Sequence, residues 1–204
     1  MIRLLGVLVF ILISSLFTKT TYANEKIVNL LKVGGKVVFI RHAYAPGSGD
    51  PYNFDIKNCY TQRNLNNEGI LQSKNIGDFF SKNNIQIDKV LTSEWCRCVD
   101  TAKYAFSDFE IFKPLNSFYD SKYIKNKDKQ IVELKKYIDN WKNSNKNLIL
   151  VTHYVVILEI LDIPTSSGEI IITDKDLNII ASIKSIKKIG EPINWEKFQI
   201  NIES

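Results

Sequence analysis

Two short, continuous apolar runs, residues 37–40 and 148–151, stand out in the pattern of apolar and polar positions. Both are rich in β-branched residues, which is typical of strands buried on both faces of a parallel sheet. A histidine follows each run, His42 after the first and His153 after the second, and the chain has only these two. Because ligands bind beyond the carboxyl ends of strands in open α/β sheets, this shared placement favours a functional site.

Helical and strand periods alternate along the rest of the chain. Apolar residues at helical spacing predict helices over residues 24–31, 66–80, 94–106, 129–141 and 155–161. Shorter β-like runs predict strands over 88–92 and 110–112, the second at an edge, and a hairpin of 169–173 with 178–183. A repeated βα order followed by a hairpin predicts one three-layer α/β/α domain with a mostly parallel central sheet.

Two segments lack a clear period. Residues 43–62 form a long stretch with Gly, Pro, Asp and Asn, and residues 115–126 carry aromatics, Asn and Ser. Long loops in compact domains are usually functional or covering. We therefore expect the first segment to form a lid or wall of the substrate site and both segments to carry specificity.

Composition and the N-terminal sequence predict the class of protein and its cellular location. The 204 residues are 45% apolar and 24% charged, which suits one soluble domain. A positive start is followed by an apolar run over 4–13 and by Thr21-Tyr22-Ala23. This pattern predicts a secretory signal peptide cleaved after Ala23. Cleavage would leave one domain over 24–204 that is periplasmic or secreted and has no stable membrane span. An uncleaved membrane anchor is the alternative.

The formal net charge of +5 is spread along the chain, with no basic run longer than two residues. A nucleic-acid partner would require a basic patch or stripe. We therefore predict a lysine-rich solvated surface and no nucleic-acid partner.

The three cysteines are Cys59, Cys96 and Cys98, so at most one internal disulfide forms. Cys59 lies near Arg63, and the other two flank Arg97. A bridge from Cys59 to Cys96 or to Cys98 would tie two site loops together, as suits an exported protein. Cys-x-Cys is not the usual zinc spacing and a fourth cysteine is missing. We therefore predict neither a metal nor a cofactor, and a metal site built from the two histidines and the cysteines is the alternative.

Arginine is scarce, and its positions are informative. Only four of the 27 basic residues are arginines, and Arg3 lies in the predicted signal peptide. The others, Arg41, Arg63 and Arg97, fall in or beside the candidate site loops. Arginine's planar fork binds phosphate through parallel hydrogen bonds and keeps its charge. We therefore predict a phosphoryl-binding pocket, although for Arg63 a purely structural ion pair is a serious competitor.

Four motifs, in the same order, resemble those of the histidine phosphatase superfamily, which has the phosphoglycerate-mutase-like fold. Arg41-His42 resembles the family's Arg-His-Gly signature, and residues 63–72 are similar to its Arg-x-Leu-x-x-x-Gly-x-x-Gln helix entry. Residues 93–102 resemble its Ser-x-x-x-Arg-x-x-x-Thr-Ala element. Residues 151–153 resemble the strand that delivers its second histidine.

The resemblance implies a role for each site residue. The neutral imidazole of His42 would attack phosphorus and form a phosphohistidine that water then hydrolyses. Arg41, Arg97 and His153 would hold the equatorial phosphoryl oxygens and neutralise the charge of the transition state. Arg63 would be a more distant phosphate ligand.

The chain departs from the family's pattern at three points. Ala43 stands where the family commonly has glycine. Tyr154 follows His153, where the acid-phosphatase branch has an aspartate that acts as the proton donor. The glutamate donor of the mutase-like branch has no clear counterpart, so Asp120 and Glu94 are the candidate proton donors.

Taken together, these features predict a phosphomonoesterase that acts on a phosphorylated small molecule or an envelope sugar phosphate through a phosphohistidine on His42. Two alternatives stay open. One is a protein phosphohistidine phosphatase, against which export argues because phosphorelay proteins are usually cytosolic. The other is a non-catalytic phosphate-binding envelope protein.

Overall fold

The computed structural model describes residues 25–142 and 145–184 and the backbone of residues 199–201. The predicted signal peptide, residues 1–23, lies outside these residues. Among the described residues, no helix is both long enough and apolar enough to cross a membrane.

The described residues form five α-helices and seven strands. The helices are α1 (residues 25–33), α2 (Asn67–Lys82), α3 (Cys96–Phe106), α4 (Lys127–Asn140) and α5 (Tyr154–Leu161). The strands are β1 (Val37–Arg41), β2 (Ile87–Thr92), β3 (Glu110–Ile111), β4 (Asn147–Thr152), β5 (Ile170–Thr173), β6 (Ile179–Lys184) and β7 (Gln199–Asn201). Each element predicted from periodicity is present, with ends shifted by a few residues.

One sheet joins all seven strands in the order β3-β2-β4-β1-β5-β6-β7. Strands β3, β2, β4 and β1 are parallel, as the βα repeats predict. Strands β5, β6 and β7 continue the sheet in antiparallel fashion. The predicted hairpin is formed by β5 and β6, and β3 lies at the predicted edge.

Helices cover both faces of the sheet, so the predicted three-layer α/β/α architecture is confirmed. In β1, Val38 and Ile40 point toward the core that α1, α2 and α3 share. Val37 and Phe39 point toward the other core, which α4 and α5 cover. All four side chains are fully buried, because successive residues of a strand face opposite sides of the sheet.

The two segments without a clear period are irregular in the structure as well. Residues 43–62 contain one 3₁₀ turn, Cys59–Thr61, and lead to Asn66, whose side chain accepts a hydrogen bond from the Gly69 amide and caps α2. Residues 115–126 include the 3₁₀ turn Ile124–Asn126. Both segments border the carboxyl edge of the parallel strands.

Candidate active site

Strands β1 and β4 bring the two histidines together. In their parallel register Arg41 lies opposite Thr152, so His42 and His153 each follow the last paired residue of adjacent strands. The His42 amide donates to the Thr152 carbonyl at 2.9 Å. The two imidazole rings lie edge to face with centroids 5.5 Å apart. Both side chains are buried.

The protonation of His42 follows from one contact. Its Nδ1 lies 2.8 Å from the carbonyl oxygen of Ala43. A carbonyl can only accept, so Nδ1 carries the hydrogen, and Nε2 of the neutral ring keeps a lone pair. Burial, followed by the positive charge of Arg97, lowers the pKa of His42 well below its ordinary value of 6.5. The ring is therefore neutral at neutral pH, as a nucleophile requires.

A chain of hydrogen bonds sets the tautomer of His153. The Asn116 amide nitrogen donates to the Glu94 carboxylate at 2.6 Å, so its oxygen faces Ser93 and accepts from the hydroxyl at 3.1 Å. The Ser93 oxygen, 2.8 Å from His153 Nε2, then accepts from that ring nitrogen. The lone pair of His153 is thus on Nδ1, which lies 3.4 Å from Arg97 Nη2.

His153 is also neutral. Burial and then the charge of Arg97 lower the pKa of His153 well below 6.5. The adjacent Cys98 thiol, 3.4 Å from His153 Nε2, does not compete as a nucleophile. Burial raises the pKa of Cys98 to about 12, and the thiolate is the reactive form.

Arg41 is the last residue of β1 and directly precedes His42. One of its terminal nitrogens donates to the Thr165 carbonyl, and its guanidinium carbon lies 5.3 Å from the centre of the Tyr154 ring. Its Nε is buried without a hydrogen-bond partner among the described residues, and the same holds for Arg97 Nε. Buried charged donors are normally satisfied, and both side chains line the same pocket.

Arg63 fulfils a bracing role as well as lining the pocket. Its Nε donates to the Gly49 carbonyl at 2.8 Å and its Nη1 to the Ala45 carbonyl at 2.6 Å. Two of its donors therefore hold the 43–62 loop in place. Burial, and then the charge of Arg97, lowers the pKa of Arg63, but an arginine remains cationic at neutral pH.

Pattern reasoning missed Asp50, which lies in the 43–62 loop. Its carboxylate forms a buried ion pair with Arg97 at 2.8 Å and accepts from the Trp95 indole at 3.0 Å. The only sequence signal is an acid between glycine and proline, Gly49-Asp50-Pro51, which marks a turn but not a site.

Two further motif residues brace the backbone that carries His42. The Thr101 hydroxyl accepts from the Ala43 amide at 2.9 Å. The Gln72 side chain accepts from the Tyr44 amide at 2.9 Å and donates to the Ser167 carbonyl at 2.8 Å. A Cβ at Gly69 would lie 2.1 Å from the Tyr44 carbonyl oxygen, so only glycine allows α2 to approach this closely.

The predicted disulfide is confirmed, and Cys59 pairs with Cys96 rather than with Cys98, which is a buried free thiol. The bridge joins the 43–62 loop to the first residue of α3. The next residue of that helix is Arg97, so the covalent tie lies directly beside the site.

A pocket of about 180 Å³ opens between these elements. Its lining includes five of the predicted site residues, His42, His153, Arg41, Arg63 and Arg97. Of the two candidate proton donors, Asp120 lines the pocket. Glu94 does not; its carboxylate faces Asn116 and, at 3.9 Å, Lys113.

The chemistry of the pocket is that of an anion site. Three cationic guanidinium groups and two neutral imidazoles face a cavity whose lining carboxylates are Asp50 and Asp120. Within residues 25–142 and 145–184, no group of three His, Cys, Asp or Glu side chains is placed to hold a metal ion.

The comparisons with known proteins place this geometry in a known fold. The sequence matches no protein-family model and no curated protein. Solved structures do match. A structure of the protein histidine phosphatase SixA complexed with tungstate has a TM-score of 0.50 and 16% identity, over 71% of this chain and 92% of that chain.

Two further structures are similar to the same extent. A SixA protein from Agrobacterium tumefaciens has a TM-score of 0.51 and 18% identity, over 73% of this chain and 97% of its own. TTHB049 from Thermus thermophilus has a TM-score of 0.51 and 13% identity, over 73% of this chain and 99% of its own. The chain therefore shares the fold of these structures, the phosphoglycerate-mutase-like fold that the sequence motifs predict.

Proposed function

We propose that this protein is a phosphatase that hydrolyses a phosphorylated small molecule through a covalent phosphohistidine on His42. The observation that carries the proposal is the state of His42. The ring is neutral, and its Nδ1–H donates to the Ala43 carbonyl, which leaves a lone pair on Nε2. His42 lines the same pocket as the three arginines. A nucleophile beside a preformed set of cationic donors is what phosphoryl transfer requires.

The reaction has two displacements. The Nε2 lone pair of His42 attacks phosphorus as the bond to the leaving oxygen breaks, and that oxygen takes a proton from a donor. Water then attacks phosphorus and gives a proton back to that donor, the phosphorus–nitrogen bond breaks, and His42 returns to its neutral form with release of phosphate. Arg41 and Arg97, whose side chains line the pocket, stabilise the oxygens on which charge develops.

Asp120 is the proton donor that we propose. It is the one of the two candidates that lines the pocket, and its carboxylate is held by the Lys122 amide at 2.8 Å. Glu94 has a different role in this proposal, since its carboxylate orients Asn116 and, through Ser93, the His153 ring.

A small phosphorylated metabolite or an envelope sugar phosphate is the substrate class that we propose. The pocket, at about 180 Å³, is smaller than most drug-sized ligand sites and suits a phosphoryl group with a short organic part. Tyr119 and Tyr154 line the pocket and offer aromatic faces for a sugar ring. The N-terminal pattern and the Cys59–Cys96 disulfide support export to the periplasm or beyond.

A second candidate is a protein phosphohistidine phosphatase. It is favoured by the similarity to SixA, which is described as a protein histidine phosphatase. A phosphoramidate also needs less help from an acid than an alkyl phosphate does. The third possibility from the sequence, a protein that only binds phosphate, predicts the same anion pocket but no covalent intermediate.

The test is hydrolysis of p-nitrophenyl phosphate between pH 4 and 8 by the domain over 24–204 and by its His42→Asn variant. We expect activity from the first protein and none from the second, with matching thermal unfolding as the folding control. An acid-labile, alkali-stable phosphoprotein should form on His42. If the native domain binds inorganic phosphate but forms no phosphoprotein with any phosphoryl donor, the proposal is contradicted. The result then supports a protein that only binds phosphate.

Parallel assays with a sugar phosphate and a phosphohistidine peptide decide the substrate class. Our proposal expects the higher kcat/KM for the sugar phosphate. The reverse order supports the protein phosphohistidine phosphatase.

A further inference from the structure

Asp50 places a negative charge inside a pocket built for anions. Its side chain is only 8% exposed, and both of its oxygens accept hydrogen bonds. Oδ1 accepts from Arg97 Nη1 at 2.8 Å and from the Arg63 amide at 3.0 Å, and Oδ2 accepts from Trp95 Nε1 at 3.0 Å. All of these donors are N–H groups, so the carboxylate acts as an acceptor on both oxygens.

These contacts fix the plane of the Arg97 guanidinium. Asp50 holds Nη1 on one side, while Nη2 lies 3.4 Å from His153 Nδ1 on the other. The group is planar and its five donors have fixed directions. Holding Nη1 therefore aims the remaining donors, including the Nε that has no partner among the described residues.

We propose that Asp50 is a positioning residue that orients Arg97 for phosphoryl transfer. The inference rests on the function proposed above and assigns Asp50 no contact with the reacting atoms. Trp95 is its support, because the indole fixes the second oxygen and prevents the carboxylate from rotating. A donor held in place before the substrate binds needs no reorganisation during the reaction.

Asp50 also adjusts the charge of the site. Arg41, Arg63 and Arg97 contribute three positive charges, Asp50 removes one, and the two histidines are neutral. These six groups together carry a net two positive charges, which is equal and opposite to a phosphate monoester dianion; Asp120, the proposed proton donor, is not included in this sum.

The experiment is a double-mutant cycle of Asp50→Asn with Arg97→Lys in the domain over 24–204. Asparagine keeps the size of the side chain but turns an amide donor toward one of the N–H groups. We expect kcat for p-nitrophenyl phosphate to fall about 10- to 100-fold, the range for a catalytic group misplaced by about 1 Å. In the Arg97→Lys background the same change should cost less than about threefold, because Asp50 acts through Arg97.

Asp55→Asn is the matched control, since Asp55 lies in the same loop but is exposed and caps only the local turn at Lys57. It should leave kcat unchanged. Equal losses from Asp50→Asn in the native and Arg97→Lys backgrounds overturn the proposal, as does an unchanged kcat. If Asp50→Asn does not fold, Trp95→Phe replaces it in the cycle, with an expected loss of about threefold to tenfold in the native background only.

Binding of inorganic phosphate, measured by calorimetry on the same variants, separates this proposal from the proposed function. If the native domain forms no phosphohistidine, the proposed function fails. The double-mutant cycle is then calculated from the dissociation constants for phosphate instead of from kcat. Asp50→Asn should then weaken phosphate binding only where Arg97 is present. Additive losses in affinity contradict the role of Asp50 whatever the activity.

Discussion

At the scale of single residues, the site depends on two histidines that stay neutral beside three arginines. Both rings are buried, and the nearby guanidinium charges make an imidazolium still less favourable. Neutral His42 has a lone pair for attack, and neutral His153 leaves the positive charge of the pocket to the arginines. The pocket can therefore attract an anion while His42, the proposed nucleophile, stays neutral.

The neutral state of the histidines is measurable by NMR. The chain contains only two histidines, so an untagged domain should show two imidazole Cε1–H resonances. We expect neither to titrate with a midpoint near 6.5, since the pKa of each ring lies well below that value. Saturating phosphate should raise both midpoints because the dianion offsets the arginine charges. A midpoint at or above 6.5 for either ring in the free protein contradicts this prediction.

The role of Asp120 is tested by comparing leaving groups. Asp120→Asn should lower kcat/KM for an alkyl phosphate by about 10²- to 10⁴-fold, the usual contribution of a general acid. The same variant should lose little activity toward p-nitrophenyl phosphate, whose leaving group needs no proton. Equal losses for the two substrates would assign Asp120 to substrate binding instead. Asp55→Asn is again the control.

At the scale of elements, the site is closed by the loop over 43–62. Four attachments hold this loop: Phe54 is buried against Trp95, Asp50 pairs with Arg97, Arg63 binds two loop carbonyls, and Cys59 is bonded to Cys96. The loop has no regular hydrogen-bonded structure apart from one 3₁₀ turn. Its conformation therefore depends on contacts with Arg63 and with residues 95–97 at the start of α3.

Removing the disulfide should loosen this loop. The bridge spans 37 residues, and constraining a loop of that length in the unfolded chain is worth about 4 kcal/mol. Cys59→Ser with Cys96→Ser should lower the free energy of unfolding by about that amount and speed proteolysis within 43–62. Reduced native protein should behave like the double variant, which makes it the internal control. A loss below about 1 kcal/mol with unchanged proteolysis contradicts this account.

At the scale of the whole molecule, one sheet positions the candidate site at the carboxyl ends of its parallel strands. The carboxyl ends of β1, β2 and β4 point to the same side, and the segments that follow them deliver His42, Ser93 and His153. The antiparallel strands β5 to β7 extend the sheet away from the site. Both faces are covered by helices, so the strands that end at the two histidines are fixed by buried apolar cores.

Burying the two histidines makes the stability of the fold depend on pH. The pKa of each is lower in the folded protein than the ordinary 6.5 of an unfolded chain. Between those values the unfolded chain binds more protons, so the free energy of unfolding rises with pH. The contribution of the histidines is fully present above pH 6.5 and decreases below it.

Chemical denaturation at about pH 7.5 and about pH 5.5 measures this effect. Each histidine should remove about 1.4 kcal/mol per pH unit below its ordinary pKa while it stays neutral in the fold. Half of the loss should disappear in His42→Asn. The raised pKa of buried Glu169 acts in the opposite direction, and the comparison of the two proteins cancels it. If the free energy of unfolding falls equally between the two pH values in the native protein and in His42→Asn, this account is contradicted.

Much of the fold and most of the site could be predicted from local patterns in the chain. The apolar runs before His42 and His153 are such patterns, because a strand buried on both faces must be continuously apolar. The rarity of arginine marked Arg41, Arg63 and Arg97, since a chain rich in lysine otherwise uses lysine for solvated positive charge. The presence of only three cysteines also limited the disulfide that involves Cys59 to two pairings.

The roles of the acids, by contrast, follow from tertiary contacts alone. Glu94 is nearer to Arg97 in sequence, yet its carboxylate faces Asn116, whereas Asp50 reaches Arg97 across 47 residues. The conformation of an irregular loop is set by long-range contacts, and these leave no period in the sequence. The same reason decides between the two disulfide pairings: Cys98 points into the core beside His153, and Cys96, at the start of α3, faces the loop.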